Sequence, residues 1–303
     1  QLQTKIMMLT HLRPKESLRR LFAKFTSSFK SRHAFPVNVS IEVTNNCNLA
    51  CATCPQPNMA GERGFLNISL FRKIIDECSQ YPSLECIIFT GFGEPLLHPQ
   101  LISMVRYARS KKIRYVRTYT NGVLLNKENT EEILLHSHLD EITISLNAPN
   151  QEIYERIKRS PHYTRVTENI EYFLTQRKSR GVKIPFVNLQ MLKLNDITYN
   201  LEEFRRKWLP LLQPGDCIVM KNSHSFAGQV NEPGVGKVFA SRRRIPCGQL
   251  WNYLFVSWNG DVIPCCVDPL KTLKIGNAAD SSLKDLWHSP QIMHMRDIHA
   301  QGK

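Results

Sequence analysis

The residues best suited to chemistry form one short stretch, Thr44-Asn45-Asn46-Cys47-Asn48-Leu49-Ala50-Cys51-Ala52-Thr53-Cys54-Pro55, with three cysteines spaced Cys-x3-Cys-x2-Cys. An alternating apolar run over residues 37–43 precedes it, so the pattern predicts a strand followed by a cysteine-bearing loop. Three thiolates this close can hold three irons of a cubic [4Fe-4S] cluster and leave the fourth iron open. Soft thiolates suit iron, and the stretch supplies no fourth ligand. An open iron can take a substrate or a cofactor. The spacing by itself also allows a zinc knuckle that lacks its fourth ligand, or three unrelated buried thiols.

Other stretches carry weaker chemical signals. Thr90-Gly91-Phe92-Gly93-Glu94-Pro95 combines two glycines, which let the backbone approach a ligand, with an acceptor for an ammonium group at Glu94. Tyr119-Thr120-Asn121-Gly122 and Ser145-Leu146-Asn147-Ala148 place small polar side chains where they could hydrogen-bond a ribose. In isolation each of these is ordinary turn chemistry. Near the C-terminus, Cys247-x12-Gly260-x4-Cys265 spans two predicted strands, 253–257 and 261–264, joined by an Asn259-Gly260 hairpin turn. The hairpin should bring the two cysteines together, for a disulfide, for zinc or iron–sulfur, or simply for packing. Cys78 and Cys86 read as core thiols, and His294 and His299 as surface residues.

The elements that must position these groups read as an α/β fold. Residues 37–220 alternate β-branched runs with helical patterns, the signature of a parallel sheet built from βα units. Six strands are predicted, at 37–43, 85–90, 115–120, 141–146, 185–192 and 217–220. Helices should start near Ser69, Pro99, Lys127, Gln151, Thr164 and Leu201, several opened by an N-cap residue or a first-turn proline. Six such units make a partial (β/α)6 barrel, whose site lies at the carboxyl ends of the strands, where Cys47, Cys51 and Cys54 fall. Residues 221–246, with five Gly or Pro and an Arg242-Arg243-Arg244 run, read as a linker. A second, small α+β module is expected over residues 247–303.

The chain has 303 residues, enough for a large core, and a formal charge of +14. Residues 1–36 form a basic segment in which Leu18, Leu21, Phe22, Phe25 and Phe29 follow helical spacing; eight Lys or Arg stand against Glu16 up to residue 33. Such a helix could lie on an anionic membrane or clamp nucleic acid, but its wide apolar stripe needs a packing partner, so a structural role is expected. No stretch approaches the roughly 20 apolar residues of a transmembrane helix, and clustered rather than scattered cysteines point to metal in a reducing cytoplasm.

Taken together, these motifs resemble the radical S-adenosylmethionine (SAM) superfamily, whose Cys-x3-Cys-x2-Cys signature follows the first barrel strand and is matched here letter for letter. In that family the open iron chelates the amino and carboxylate groups of SAM. One electron from the reduced cluster then releases a 5'-deoxyadenosyl radical that abstracts hydrogen from an unactivated carbon. Thr53 departs from the aromatic or large apolar residue usual near the adenine. The resemblance assigns Gly93, Glu94 and Pro95 to the motif that accepts hydrogen bonds from the SAM amino group. It assigns Asn121, Ser145 and Asn147 to the strand ends lining the SAM pocket, with Asn147 replacing the usual acid. Lys158 and Arg159 are the candidates for the SAM carboxylate, and Gln190 or Met191 for the adenosyl group.

Residues 244 to about 298 resemble the SPASM and twitch modules, which carry auxiliary [4Fe-4S] clusters. Cys247, Cys265 and Cys266 are the expected ligands there. Those modules normally supply further cysteines downstream, and none follows Cys266 before Lys303. Cys217, a non-cysteine group, or ligands downstream of Lys303 would complete the set, and Gln1 as first residue suggests a longer gene product.

The resemblance implies a radical SAM oxidoreductase-type enzyme that uses its auxiliary cluster for a dehydrogenation-type outcome and draws electrons from a partner such as flavodoxin or ferredoxin. The positive charge points to a small anionic or sugar-like substrate. One alternative is a maturase of a ribosomal peptide, although residues 1–36 are too few for the leader-recognition domain of many such enzymes. The other is a nucleic-acid-binding iron–sulfur or zinc protein; nucleic acid is not the expected partner.

Overall fold

Parallel strands alternate with helices from β1 (Asn38–Ile41) through α1 (Ile68–Cys78), β2 (Cys86–Phe89), α2 (Leu101–Ser110), β3 (Tyr115–Thr120) and α3 (Lys127–Glu132). The pattern continues with β4 (Glu141–Asn147), α4 (Gln151–Lys158), α5 (Tyr163–Ser179), β5 (Phe186–Lys193), α6 (Leu201–Trp208) and β6 (Cys217–Asn222). The computed structural model describes residues 34–199, 201–236 and 246–302. The basic helix expected in the first 36 residues lies, but for its last three positions, outside the described residues, as does the run at Arg242 to Arg244.

Local sequence explains the elements. Asn67, Asn126 and Asn150 cap α1, α3 and α4 by accepting hydrogen bonds from first-turn amides. In α1 the buried residues Phe71, Ile74, Ile75 and Cys78 recur at helical spacing, so one stripe packs on the sheet. Burying each such large apolar side chain contributes about 1.5–3 kcal/mol. At the N-terminal end of β5, the fully buried Arg177 of α5 donates to Asp216 and to the Pro185 carbonyl.

The sheet does not stop at the barrel. Strand order is β6-β5-β4-β3-β2-β1-β7-β8-β9, with β7 (Tyr253–Val256), β8 (Asp261–Ile263) and β9 (Gly276–Asn277) continuing past β1. Strand β7 runs parallel to β1, pairing Asn38 with Tyr253 and Ile41 with Val256. The expected hairpin is present, as antiparallel β7 and β8 around Asn259-Gly260, but it is joined to the barrel sheet rather than set apart as a module. All four β7 residues are buried, so the strand needs a neighbour at its edge as well as cover on its faces. Helices α7 (Gln249–Asn252), α8 (Leu283–Trp287) and α9 (Pro290–Ala300) complete this end.

The stretch read as a linker is partly structural. Lys221 and Asn222 finish β6, and Val230 and Val235 pack with Ile157 and Leu194 in a small apolar cluster. Two valines in a Gly- and Pro-rich run are enough to anchor it against α4.

Candidate active site

The cysteine loop leaves the carboxyl end of β1 and is stapled by its own polar side chains. The Thr44 hydroxyl donates to the Gly64 carbonyl at 2.6 Å, and Asn45 pairs with Glu62 and Gly64 through both ends of its amide. Gln56 and Arg63 both donate to the Asn45 carbonyl, at 3.0 and 3.1 Å. The Ala52 amide donates to the Ile157 carbonyl in the last turn of α4, at 2.9 Å. A loop held this way presents its thiols from a backbone fixed by side-chain staples and one bond to α4.

The turn after β2 packs directly on that loop. The Glu94 amide donates to the Asn46 carbonyl at 2.8 Å, and a Cβ on Gly93 would come within 2.1 Å of the Thr44 carbonyl oxygen. Glycine is therefore required there for backbone-on-backbone contact. A Cβ on Gly91 would likewise strike Glu42, whose carboxylate accepts from the Phe92 amide at 2.8 Å. The Glu94 side chain, 2% exposed, accepts from the Asn121 amide at 2.7 Å and from the Leu96 amide at 3.1 Å. Burial raises its pKa, against the lowering effect of these hydrogen bonds and of Lys158. Asn121 in turn donates to Asn48 at 2.7 Å and lies 4.0 Å from the Cys47 sulfur.

These groups face one chamber of about 530 Å³ at the carboxyl ends of the strands. It is lined by Cys47, Cys51 and Cys54 together with Gly93, Glu94, Pro95, Asn121, Ser145, Asn147, Lys158 and Gln190. Lys158 ends α4 and is 3% exposed; Arg159 follows in the left-handed conformation at φ +50°. That turn separates the two cations. The Arg159 guanidinium lies 3.6 Å from Glu232, and Arg159 lines a second pocket with Asn46, Cys47 and Asn48, so of the two sequence candidates only Lys158 lines the main chamber. Gln190 donates to Asn147 at 3.2 Å, while its buried Oε1 has no hydrogen-bond partner. The amide at position 147 thus accepts a hydrogen bond from Gln190.

The donor set fits an iron–sulfur cluster. Burial pushes the Cys47 thiol up to about 11 and the Cys54 thiol up to about 12, so iron would have to displace their protons. Among the described residues no three His, Cys, Asp or Glu side chains are gathered closely enough for a single metal ion. Three thiols lining one chamber suit three irons of a cube, because soft thiolates are ligands that iron takes. The orphaned Gln190 oxygen and the buried Lys158 ammonium are what a polar cofactor beside that cube would meet.

At the other cysteine group, Cys265 and Cys266 lie just after β8, Cys266 in a turn, rather than in an extended strand, and both are in electrostatic reach of Cys247. Burial raises the pKa of both. Cys266 also lines the main chamber. Cys217 stands at the start of β6 and donates to Asn188 at 2.7 Å. The Cys247 amide reaches the His299 ring at 3.4 Å.

Residues 41–196 match the radical SAM superfamily. The chain belongs to that superfamily. Residues 247–303 match the SPASM iron–sulfur cluster-binding domain, so this radical SAM protein takes SAM, a SAM-binding [4Fe-4S] cluster and auxiliary iron–sulfur clusters, and needs a reductant. The antilisterial bacteriocin subtilosin biosynthesis protein AlbA of Bacillus subtilis is 24% identical over 293 residues, 91% of this chain and 64% of AlbA. This chain therefore spans about two thirds of that relative. Streptococcus suis SuiB bound to precursor peptide SuiA superposes with a TM-score of 0.67 at 14% identity, covering 97% of this chain and 74% of SuiB. BtrN in complex with AdoMet and 2-DOIA gives 0.58 at 18% identity, covering 88% of both chains. Among the described residues no helix is long and apolar enough to cross a membrane.

Several chamber residues escaped the sequence reading: Arg117, Tyr119, Lys221, His224 and Phe226. Alternation along β3 puts Arg117 and Tyr119 on the same face, a signal that was available. The loop residues gave none, since His224 and Phe226 reach the chamber through a turn in which Phe226 and Ala227 have positive φ.

Proposed function

We propose that this radical SAM enzyme modifies a peptide. The observation that supports this most is likeness over nearly the whole chain, 91% against AlbA and 97% against SuiB with its precursor peptide. Cys47, Cys51 and Cys54 hold the SAM-binding cluster; Cys247, Cys265 and Cys266 contribute to the auxiliary site. When bound, the clusters and SAM supply one-electron cleavage to a hydrogen-abstracting radical and an acceptor for a further electron.

The chain's own residues bind and orient. The Glu94 carboxylate accepts from the Asn121 and Leu96 amides, with Thr120 as a further side-chain partner, and would take the SAM ammonium as an additional donor. Lys158 sets a buried positive charge beside Cys47, Cys54 and Glu94, suited to the SAM carboxylate. Gln190 Oε1 accepts from a ribose hydroxyl, with Asn147 fixing its amide. Asn121 braces the turn and the cysteine loop at once. Net oxidation of the peptide is the outcome we assign.

The small anionic substrate expected from charge becomes the second reading, favoured by the equal 88% coverage with BtrN. The test is anaerobic incubation of the reconstituted, reduced protein with SAM and either a peptide library or a metabolite extract, followed by mass spectrometry. A peptide losing two hydrogens, with matching 5'-deoxyadenosine, supports the proposal. A mass change confined to the metabolite fraction overturns it.

A further inference from the structure

Resting on the peptide-modifying reading, we infer that the chamber contains a subsite for a substrate carboxylate, formed by Arg117 and Lys221, which both approach the Tyr119 ring. The two cations come from β3 and β6, strands far apart in the sheet order. Lys221 Nζ lies 5.1 Å from the centre of the Tyr119 ring and 3.4 Å from its hydroxyl. The Arg117 guanidinium lies 6.0 Å from the same ring. Two like charges gathered around one aromatic ring repel each other, and the ring's quadrupole offsets that only in part. An anion within reach of both offsets that repulsion.

Arg117 is only half satisfied. One of its terminal nitrogens meets Glu141 at 3.4 Å, while its Nε is buried with no hydrogen-bond partner. It lines both the main chamber and a second pocket of about 410 Å³ beneath it, and so forms the chamber floor. Lys221 has no carboxylate within ion-pair distance among the described residues. With Glu94 and Lys158 assigned to SAM, Arg117 and Lys221 are the Lys and Arg side chains of the chamber left for substrate. A peptide meets this arrangement with an Asp or Glu side chain or with its terminal carboxylate, an anion that pairs with either cation.

The test uses the whole chain, reconstituted with iron and sulfide and saturated with SAM. Two fluorescent pentapeptide pools, differing only in Asp/Glu or Asn/Gln at the central position, are titrated by anisotropy at low salt. The acidic pool should bind about tenfold more tightly, the effect of one charged hydrogen-bonded pair. Arg117→Gln with Lys221→Gln should erase that difference, with iron content and unfolding midpoint kept at parent values as the check on folding. Lys221→Glu should shift preference toward a Lys-centred pool. Equal binding of the two pools by the parent, or acidic preference surviving in the double variant, overturns the subsite. Inorganic phosphate competing in an Arg117- and Lys221-dependent way, where acidic peptides do not, overturns the peptide carboxylate in favour of a small anion. Failure of the radical SAM reading itself would show separately, as no 5'-deoxyadenosine from the parent.

Discussion

Replacing Gly93 with Ala should loosen the cysteine loop from outside it. The added methyl carbon would stand 2.1 Å from the Thr44 carbonyl oxygen and 2.6 Å from that of Asn46, both backbone atoms that cannot rotate away. Relief requires the turn and the loop to part by about 1 Å, which breaks the 2.8 Å hydrogen bond from the Glu94 amide to Asn46. Overpacking of this kind costs about 1–3 kcal/mol. The lost hydrogen bond adds about 1 kcal/mol. Thermal unfolding of the metal-free protein should therefore fall by several degrees, and anaerobic reconstitution should load less iron at Cys47, Cys51 and Cys54. Gly61→Ala, at φ +100° with nothing within 4 Å of the new methyl, is the control for conformational cost alone, about 1 kcal/mol. An unfolding midpoint and iron content equal to the parent's in Gly93→Ala would refute the close-packing explanation of this glycine.

Glu94→Gln should weaken SAM binding by about 1–3 kcal/mol, measured by calorimetry on the reconstituted protein, because the charged acceptor is lost and one backbone amide loses its partner. Asp216→Ala should cost about 3–5 kcal/mol in denaturant unfolding by stranding the buried Arg177. Asp261 is held below the usual carboxylate range: burial raises its pKa, but hydrogen bonds from Lys274, Lys271 and Asn259 together outweigh it. A depressed folded pKa gives stability that is present above the unfolded value, about 3.9, and is lost as pH falls through the folded one. Asp261→Asn should thus be less stable than the parent by about 2 kcal/mol at pH 7, with the gap closing below pH about 4; a constant gap would contradict the ion pairs.

Much of this was legible in the sequence because local rules and global fold agree. The strands 115–120 and 141–146 and the helices at Lys127, Gln151 and Leu201 begin where caps and periodicity put them. The cysteine loop, the glycine turn and Asn121 were found by spacing, and they do converge on one chamber. Lys158 and Arg159 part company because the residue at the end of α4 is left-handed, which composition does not encode. The union of β7 with β1 was hidden for another reason: a strand pattern specifies that a partner is needed, not which one. Arg117 and Lys221 meet around Tyr119 only because the sheet curls, bringing β6 back towards β3. Net charge did not locate the substrate for a similar reason, since charge summed over the chain is not placed in the site.

The central claim is that Cys47, Cys51 and Cys54 support SAM cleavage in this chamber. It is tested most directly by quantifying 5'-deoxyadenosine from the anaerobically reconstituted, chemically reduced protein alongside the variant with all three cysteines changed to Ala. The parent should form 5'-deoxyadenosine, and the triple variant should form none while retaining iron at the auxiliary site. Equal 5'-deoxyadenosine from the variant, or none from a fully iron-loaded parent, would contradict the assignment.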